Sequence, residues 1–346
     1  MKSALLYGKN DLRVQDQSIP TIDDFEILVK VRSAMICGTD IRMLKNGRSN
    51  IDADHPLVMG HEICGVIESV GRSVSHYKKG MRVFIAPNWG CGICDFCIAG
   101  KTHLCPNYQA IGIHVHGGFA EYCRVPAAAV LQGNVMQIPD SMSFSEAAII
   151  EPFSCTYSGF ERAQIRPGNT VLIFGAGPIG FMHAKLARMA GAAKVMLSDI
   201  NDSRLSLCTQ IDPALIPIKN EIRQEISQLT RGKGADVIIT ACPVPSVQAL
   251  SLELAAINGR VIFFGGLPKE SELVPLNGNL IHYRQLMVTG TARSSLSQIR
   301  TCIGLVSDGL VRLVDLISHH YRLSEVNQAF MNATKGEGIK HEIVFS

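Results

Sequence analysis

The chain has 346 residues, 47% apolar and 18% charged, enough for about two domains and the balance of a chain with large buried cores. Lysine and arginine number 33 against 30 acidic residues, a charge of +3 that argues against a surface built to track a polyanion. No short-period repeat is present, so solenoids are excluded. The first residues carry no sustained apolar stretch of a secretory signal. The longest charge-free runs, residues 171–182 and 237–252, are broken by glycine and proline and do not read as membrane helices. A soluble, cytoplasmic protein is expected.

The first 150 residues read as short strands between turn signals. Residues 26–31 alternate as a strand, and Ile36-Cys37-Gly38-Thr39-Asp40 follows, with a change of direction at Gly38 that presents the Cys37 thiol at a strand end. Farther on, Gly60-His61-Glu62 leads into a second strand, and residues 81–86 and 121–125 read as two more. Ser143 and Glu146 stand in capping-box spacing ahead of an apolar run. Glu151 follows directly, before Pro152. A thiolate, an imidazole and a carboxylate form a mixed ligand set that leaves one zinc position open.

Between these strands lie Cys91, Cys94, Cys97 and Cys105, spaced C-x2-C-x2-C-x7-C. Two-residue gaps let thiolates converge through tight turns, and a fourth closes a tetrahedral site that suits Zn2+. Iron–sulfur runs use other gaps. With four protein ligands the lobe is closed, hence structural. It holds only Lys101 as a cation besides His103, which argues against a nucleic-acid finger. The remaining cysteines, Cys64, Cys123, Cys155, Cys208, Cys242 and Cys302, read as small buried hydrophobes. Eleven cysteines without a secretory signal do not suggest a disulfide framework.

Beyond about residue 155 strands alternate with helical stretches, the pattern of a parallel sheet covered on both faces. Residues 170–174 form an apolar strand, followed by Gly175-Ala176-Gly177-Pro178-Ile179-Gly180 and a helical period to about residue 190. The glycines permit the turn, the approach of a pyrophosphate and close helix–strand packing. Asp199, 19 residues past Gly180, closes the next strand and suits adenosine ribose hydroxyls. It favours NAD over NADP, against which Arg204 is the counter-signal. Further strands are expected at 235–240, 259–264 and 285–290, a helix at 296–308 and a closing strand at 342–345.

Together, Cys37-Gly38-Thr39-Asp40, Gly60-His61-Glu62, the cysteine lobe, Gly117-Gly118-Phe119-Ala120-Glu121-Tyr122, Glu151-Pro152 and the glycine loop resemble the zinc-dependent medium-chain dehydrogenase/reductase family. Glu62, Glu151 and Arg293 resemble its sorbitol (polyol) dehydrogenase-like branch. The resemblance implies an α/β chain: a GroES-like mostly-β catalytic domain over 1–152, with its zinc lobe at 88–106, then a Rossmann doubly wound parallel-sheet domain over 153–293. Residues 294–346 would return to the catalytic domain. It implies two zinc ions per subunit and NAD. Cys37 and His61 would bind the catalytic zinc with Glu62 or Glu151, whose division of labour stays open. Thr39 would pass a proton, while Arg293 and Glu151 would meet substrate hydroxyls. The implied reaction is reversible oxidation of a secondary alcohol of a polyol, sugar phosphate or sugar acid to a ketone, in the cleft between the domains. Relatives form dimers or tetramers, so a homodimer or homotetramer is expected, with no nucleic-acid or membrane partner.

Two positions depart from the pattern. Relatives usually carry a relay histidine where this chain has Arg42, which holds its proton at ordinary pH and suits an anionic substrate group instead. Thr240-Ala241-Cys242 stands where an acid and a glycine are usual. The alternatives are an L-threonine-type amino-alcohol dehydrogenase, which also carries Glu after the zinc His, and a nucleotide-binding protein without catalysis. The latter would be expected to have lost Cys37 or His61.

Overall fold

The computed structural model describes residues 1–219 and 221–346. It divides into two compact units, Met1–Pro152 with Ser295–Ser346, and Phe153–Ser294.

In the first unit, Ile27–Met35 is the organising strand. Its alternating Ile27, Val29 and Val31 are fully buried. Glu62–Val70 and Lys340–Val344 flank it antiparallel, and Tyr122–Val125 pairs with its first half. Arg82–Ile85 and Val135–Gln137 extend the sheet on one side and Ile317–Arg322 on the other. The register sets Met35 opposite both Glu62 and Glu342. One sheet end therefore gathers the residues just after Met35, just before Glu62 and at the start of the last strand. A smaller sheet joins Lys2–Gly8, Asp11–Asp16 and Leu57–Val58.

Strand placement follows the alternation, and helix Gly38–Asn46 stands in a stretch where short strands between turns were expected. Cys37 is its N-cap, and Asp40 accepts the Cys37 N–H at 2.9 Å, so the turn is fixed from within. The Ser143 capping box is present: the hydroxyl accepts from Glu146 N at 3.1 Å, opening helix Phe144–Ala148. Helix Ile150–Ala163 carries Glu151 in its first turn.

The second unit is a six-stranded parallel sheet. Its order is Leu215–Ile218, Lys194–Ser198, Thr170–Phe174, Ala235–Thr240, Ala255–Phe263 and Met287–Gly290. Strand order reverses beside Thr170–Phe174, the usual ligand position of such sheets. Three details differ from expectation. Leu215–Ile218 is a strand not anticipated from sequence, an edge strand that tolerates Pro217. Ala255–Phe263 starts early and crosses an irregularity at Asn258, whose φ is +60°. Met287–Gly290 starts late because Gln285 is the left-handed cap of helix Gly278–Arg284. Among the described residues, no helix is long and apolar enough to cross a membrane.

Candidate functional site

At the gathered end of the first sheet, donor atoms of Cys37, His61 and Glu62 lie within 4.8 Å of one another. The turn that delivers His61 admits only glycine at several points. Gly60 has φ +90°, and a Cβ on Gly117 would lie 2.2 Å from the Gly60 carbonyl oxygen. The double-glycine motif thus clamps the His61 loop, with Phe119 N donating to Met59 O at 3.0 Å.

His61 is buried with its Nδ1 3.3 Å from Asp40 Oδ1, outside hydrogen-bond geometry. Burial would lower its pKa, but Asp40 and Cys37 outweigh it and raise the pKa well above the usual histidine range. The negative field that holds a proton there also draws a divalent cation. Glu62 is fully buried, and its carboxyl is raised by burial against the pull of Lys340. Its Oε2 lies 2.6 Å from the Lys340 ammonium as an ion-pair contact. Sulfur, nitrogen and oxygen donors so placed, with the buried His61 Nδ1 making no hydrogen bond, fit zinc.

Glu151 is buried beside this set but is not a member of the three-donor cluster. Burial pushes its carboxyl up to about 7, His61 opposing and Glu62 adding. Thr39 opens helix Gly38–Asn46, and its hydroxyl accepts from Arg42 Nη2 at 3.0 Å. Arg42 is exposed. The residue that sequence reasoning missed is Lys340, 3% exposed, whose Nζ donates to Glu62 Oε1 at 2.7 Å and to Ile36 O at 2.9 Å. The closing strand, expected at 342–345, runs from Lys340 to Val344, so the expected bounds left Lys340 outside it.

The four lobe sulfurs lie within 4.8 Å of one another, with Cys94 Sγ 3.8 Å from Cys105 Sγ. Zinc–sulfur bonds in a tetrahedron set sulfurs about 3.8 Å apart, so this lobe fits the ion. A Cβ on Gly90 would fall 2.3 Å from Cys97 Sγ, so the cradle is shaped around the sulfur. All eleven cysteines are free. Of the six read as buried hydrophobes, Cys155 and Cys242 are only half-buried, being less deeply packed than their apolar neighbours suggest.

In the second unit, Gly175 has φ +106°, and a Cβ on Gly180 would lie 1.8 Å from the Gly175 carbonyl oxygen. Gly177 caps helix Pro178–Met189, with Pro178 in its first turn and Ile179 beside it, leaving N–H groups for phosphates. Asp199 accepts from Ala176 N at 2.7 Å and Asn201 N at 2.9 Å, which ties the glycine loop to the next strand. Each oxygen keeps a lone pair for a ribose hydroxyl. Arg204 Nη1 approaches to 3.8 Å of where a Gly177 Cβ would be. Thr240 is buried, and Arg293 takes a left-handed backbone, φ +59°.

The folds and sites of both units define a class. The model described as "Alcohol dehydrogenase GroES-like domain" matches residues 23–140, and "Zinc-binding dehydrogenase" matches residues 178–308. The chain belongs to the zinc-dependent medium-chain dehydrogenase/reductase family. Particular relatives are a sorbitol dehydrogenase of Bacillus subtilis, 32% identical over 96% of this chain and 93% of that one, and an L-threonine 3-dehydrogenase of the same organism, 35% identical over 92% and 91%. An alcohol dehydrogenase from E. coli CFT073, crystallised with NADH, is 29% identical with a TM-score of 0.90, covering 100% of this chain and 99% of that one.

Proposed function

We propose that this chain is a zinc- and NAD-dependent dehydrogenase that oxidises a secondary alcohol of a polyol, sugar phosphate or sugar acid to the ketone. The observation that carries this reading is the convergence of half-buried Cys37 with buried His61 and Glu62, with Glu151 beside them. When bound, zinc supplies a Lewis acid for an alcohol oxygen. Nicotinamide supplies the hydride acceptor.

The chain's own groups then have definite tasks. The Thr39 hydroxyl takes an N–H from Arg42 on one lone pair, which leaves the other to accept from the alcohol O–H while its own hydrogen passes a proton on to water. Arg42 cannot receive a proton, so an outward relay does not run through it. Its exposed guanidinium, with no carboxylate within ion-pair distance among the described residues, suits a phosphate or carboxylate on the substrate. Glu151, buried beside the donor set, would hold a neighbouring hydroxyl. Asp199 holds the ribose hydroxyls and disfavours a 2′-phosphate. The same reading includes a homo-oligomer.

The L-threonine relative at 35% identity favours a second reading, an amino-alcohol substrate. One experiment decides between them: NAD reduction across polyols, sugar phosphates, sugar acids and L-threonine, before and after chelation. Turnover of a polyol or sugar-derived alcohol, lost on chelation and restored by zinc, is expected. Turnover of L-threonine alone reverses the ranking, and indifference to chelation removes the metal from the reaction.

A further inference from the structure

A lysine as deeply buried as Lys340 requires a reason, because its ammonium has lost its water. Its Nζ lies 2.6 Å from Glu62 Oε2 as well as hydrogen-bonding Oε1. Its second hydrogen bond is to the carbonyl of Ile36. Ile36 immediately precedes Cys37, and Glu62 immediately follows His61. One ammonium therefore ties together the two segments that bear the donor set, reaching them from the last strand of the unit.

We propose that Lys340 is a positioning residue of the Cys37–His61–Glu62 site, which spaces the donors before any ion arrives and competes with a divalent cation for the Glu62 carboxylate. Before metal binds, Lys340 is the counter-charge that permits a carboxylate to be buried there. Once metal binds, two cations share one carboxylate and oppose each other. The pair thus stabilises the empty site while loosening its hold on the ion. A lysine serving only to fasten the strand would support metal binding and folding alike. The inference rests on the reading that these three residues hold zinc.

The test is zinc affinity by chelator competition together with the melting midpoint of the metal-free protein. Cys37→Ala, run in parallel, identifies the zinc held by the cysteine lobe. Lys340→Met should lower the metal-free midpoint yet tighten zinc by about tenfold or more, since a charge on the shared carboxylate is removed. Lys340→Arg should keep affinity close to that of the native protein. In a Glu62→Gln background, Lys340→Met should tighten zinc by less. Should Lys340→Met fail to fold, Lys340→Gln carries the same test, because the amide still donates to Glu62 without charge. Zinc that weakens in step with the midpoint, or an unchanged affinity, overturns the proposal. No substrate is present, so this outcome is distinct from failure of the dehydrogenase reading, which shows as a native protein without turnover or indifferent to chelation.

Discussion

The four sulfurs of the cysteine lobe and the Cys37–His61–Glu62 set lie in the same unit, yet only the second brings its own counter-charge. In the lobe, Cys91 is exposed and Cys94 and Cys97 are half-buried. The Cys91 thiol is pushed down to about 6, first by the backbone N–H groups of Ile93 and Cys94, with burial opposing. Backbone dipoles and solvent carry that charge, and of the four sulfurs only that of Cys105 belongs to a buried residue. In the second set His61 and Glu62 are buried and Cys37 is half-buried, and Lys340 balances Glu62 with an ammonium. An exposed thiolate cluster depends on its ion for local shape. A buried set with a built-in cation keeps its shape without one.

The largest expected effect separates the two. Cys37→Ala should cut turnover by about a thousandfold, the loss of a Lewis acid worth several kcal/mol, and should remove one zinc while leaving the lobe closed. Cys94→Ser should remove the other zinc and open residues 91–105 to protease, because structural zinc contributes folding energy directly. Metal analysis and limited proteolysis of both variants check this. Loss of both ions in either variant, or an opened lobe in Cys37→Ala, breaks the comparison.

The same contrast explains what the sequence made legible. The lobe, the glycine loop and the Ser143 capping box are written in spacings of a few residues, where chain geometry alone decides what can meet. Glu62 and Lys340 are 278 positions apart, and only strand register brings them together. Strand Leu215–Ile218 escaped notice because it is short and contains a proline, and Ile317–Arg322 because its exposed edge position lets it carry two histidines, a serine and an arginine. Helix Gly38–Asn46 was hidden by low apolar content; only Asp40 and Met43 are buried on it.

A third buried group sharpens the comparison, because it has no counter-charge. His183, on the helix after the glycine loop, is 1% exposed, and neither ring nitrogen has a hydrogen-bond partner. It packs edge-on against Phe264 at 4.8 Å. Burial pushes its pKa down to about 3, so it folds neutral. The unfolded chain takes up that proton below about pH 6.5, so stability falls with pH from there toward about 3. The loss should be about 2 kcal/mol between pH 6.5 and 5. His341, pushed down to about 4 chiefly by burial, acts in the same direction. In urea melts across pH, His183→Leu should make the acid slope shallower by one proton without abolishing it. An unchanged slope would show that His183 is protonated in the fold, against its packing.

The smallest effect concerns how the lobe is fastened. Gln132 clamps Gly90 from both sides, its Oε1 accepting from Gly90 N at 3.0 Å and its Nε2 donating to Gly90 O at 2.8 Å. Gly90 lies against Cys97, where no side chain fits. Asn134, fully buried, holds Asn88 O and Ala86 O next to it. Gln132→Ala removes two hydrogen bonds at a half-buried place, about 1–2 kcal/mol in all. If the lobe's order comes from its ion, this loss stays hidden while zinc is bound and appears when zinc leaves. The rate of zinc loss from the lobe to a chelator should therefore rise several-fold, while initial turnover at the Cys37 site stays as in the native protein. A fall in turnover with zinc still in the lobe would mean that the clamp serves the buried site as well, and that the two metal sites are mechanically one.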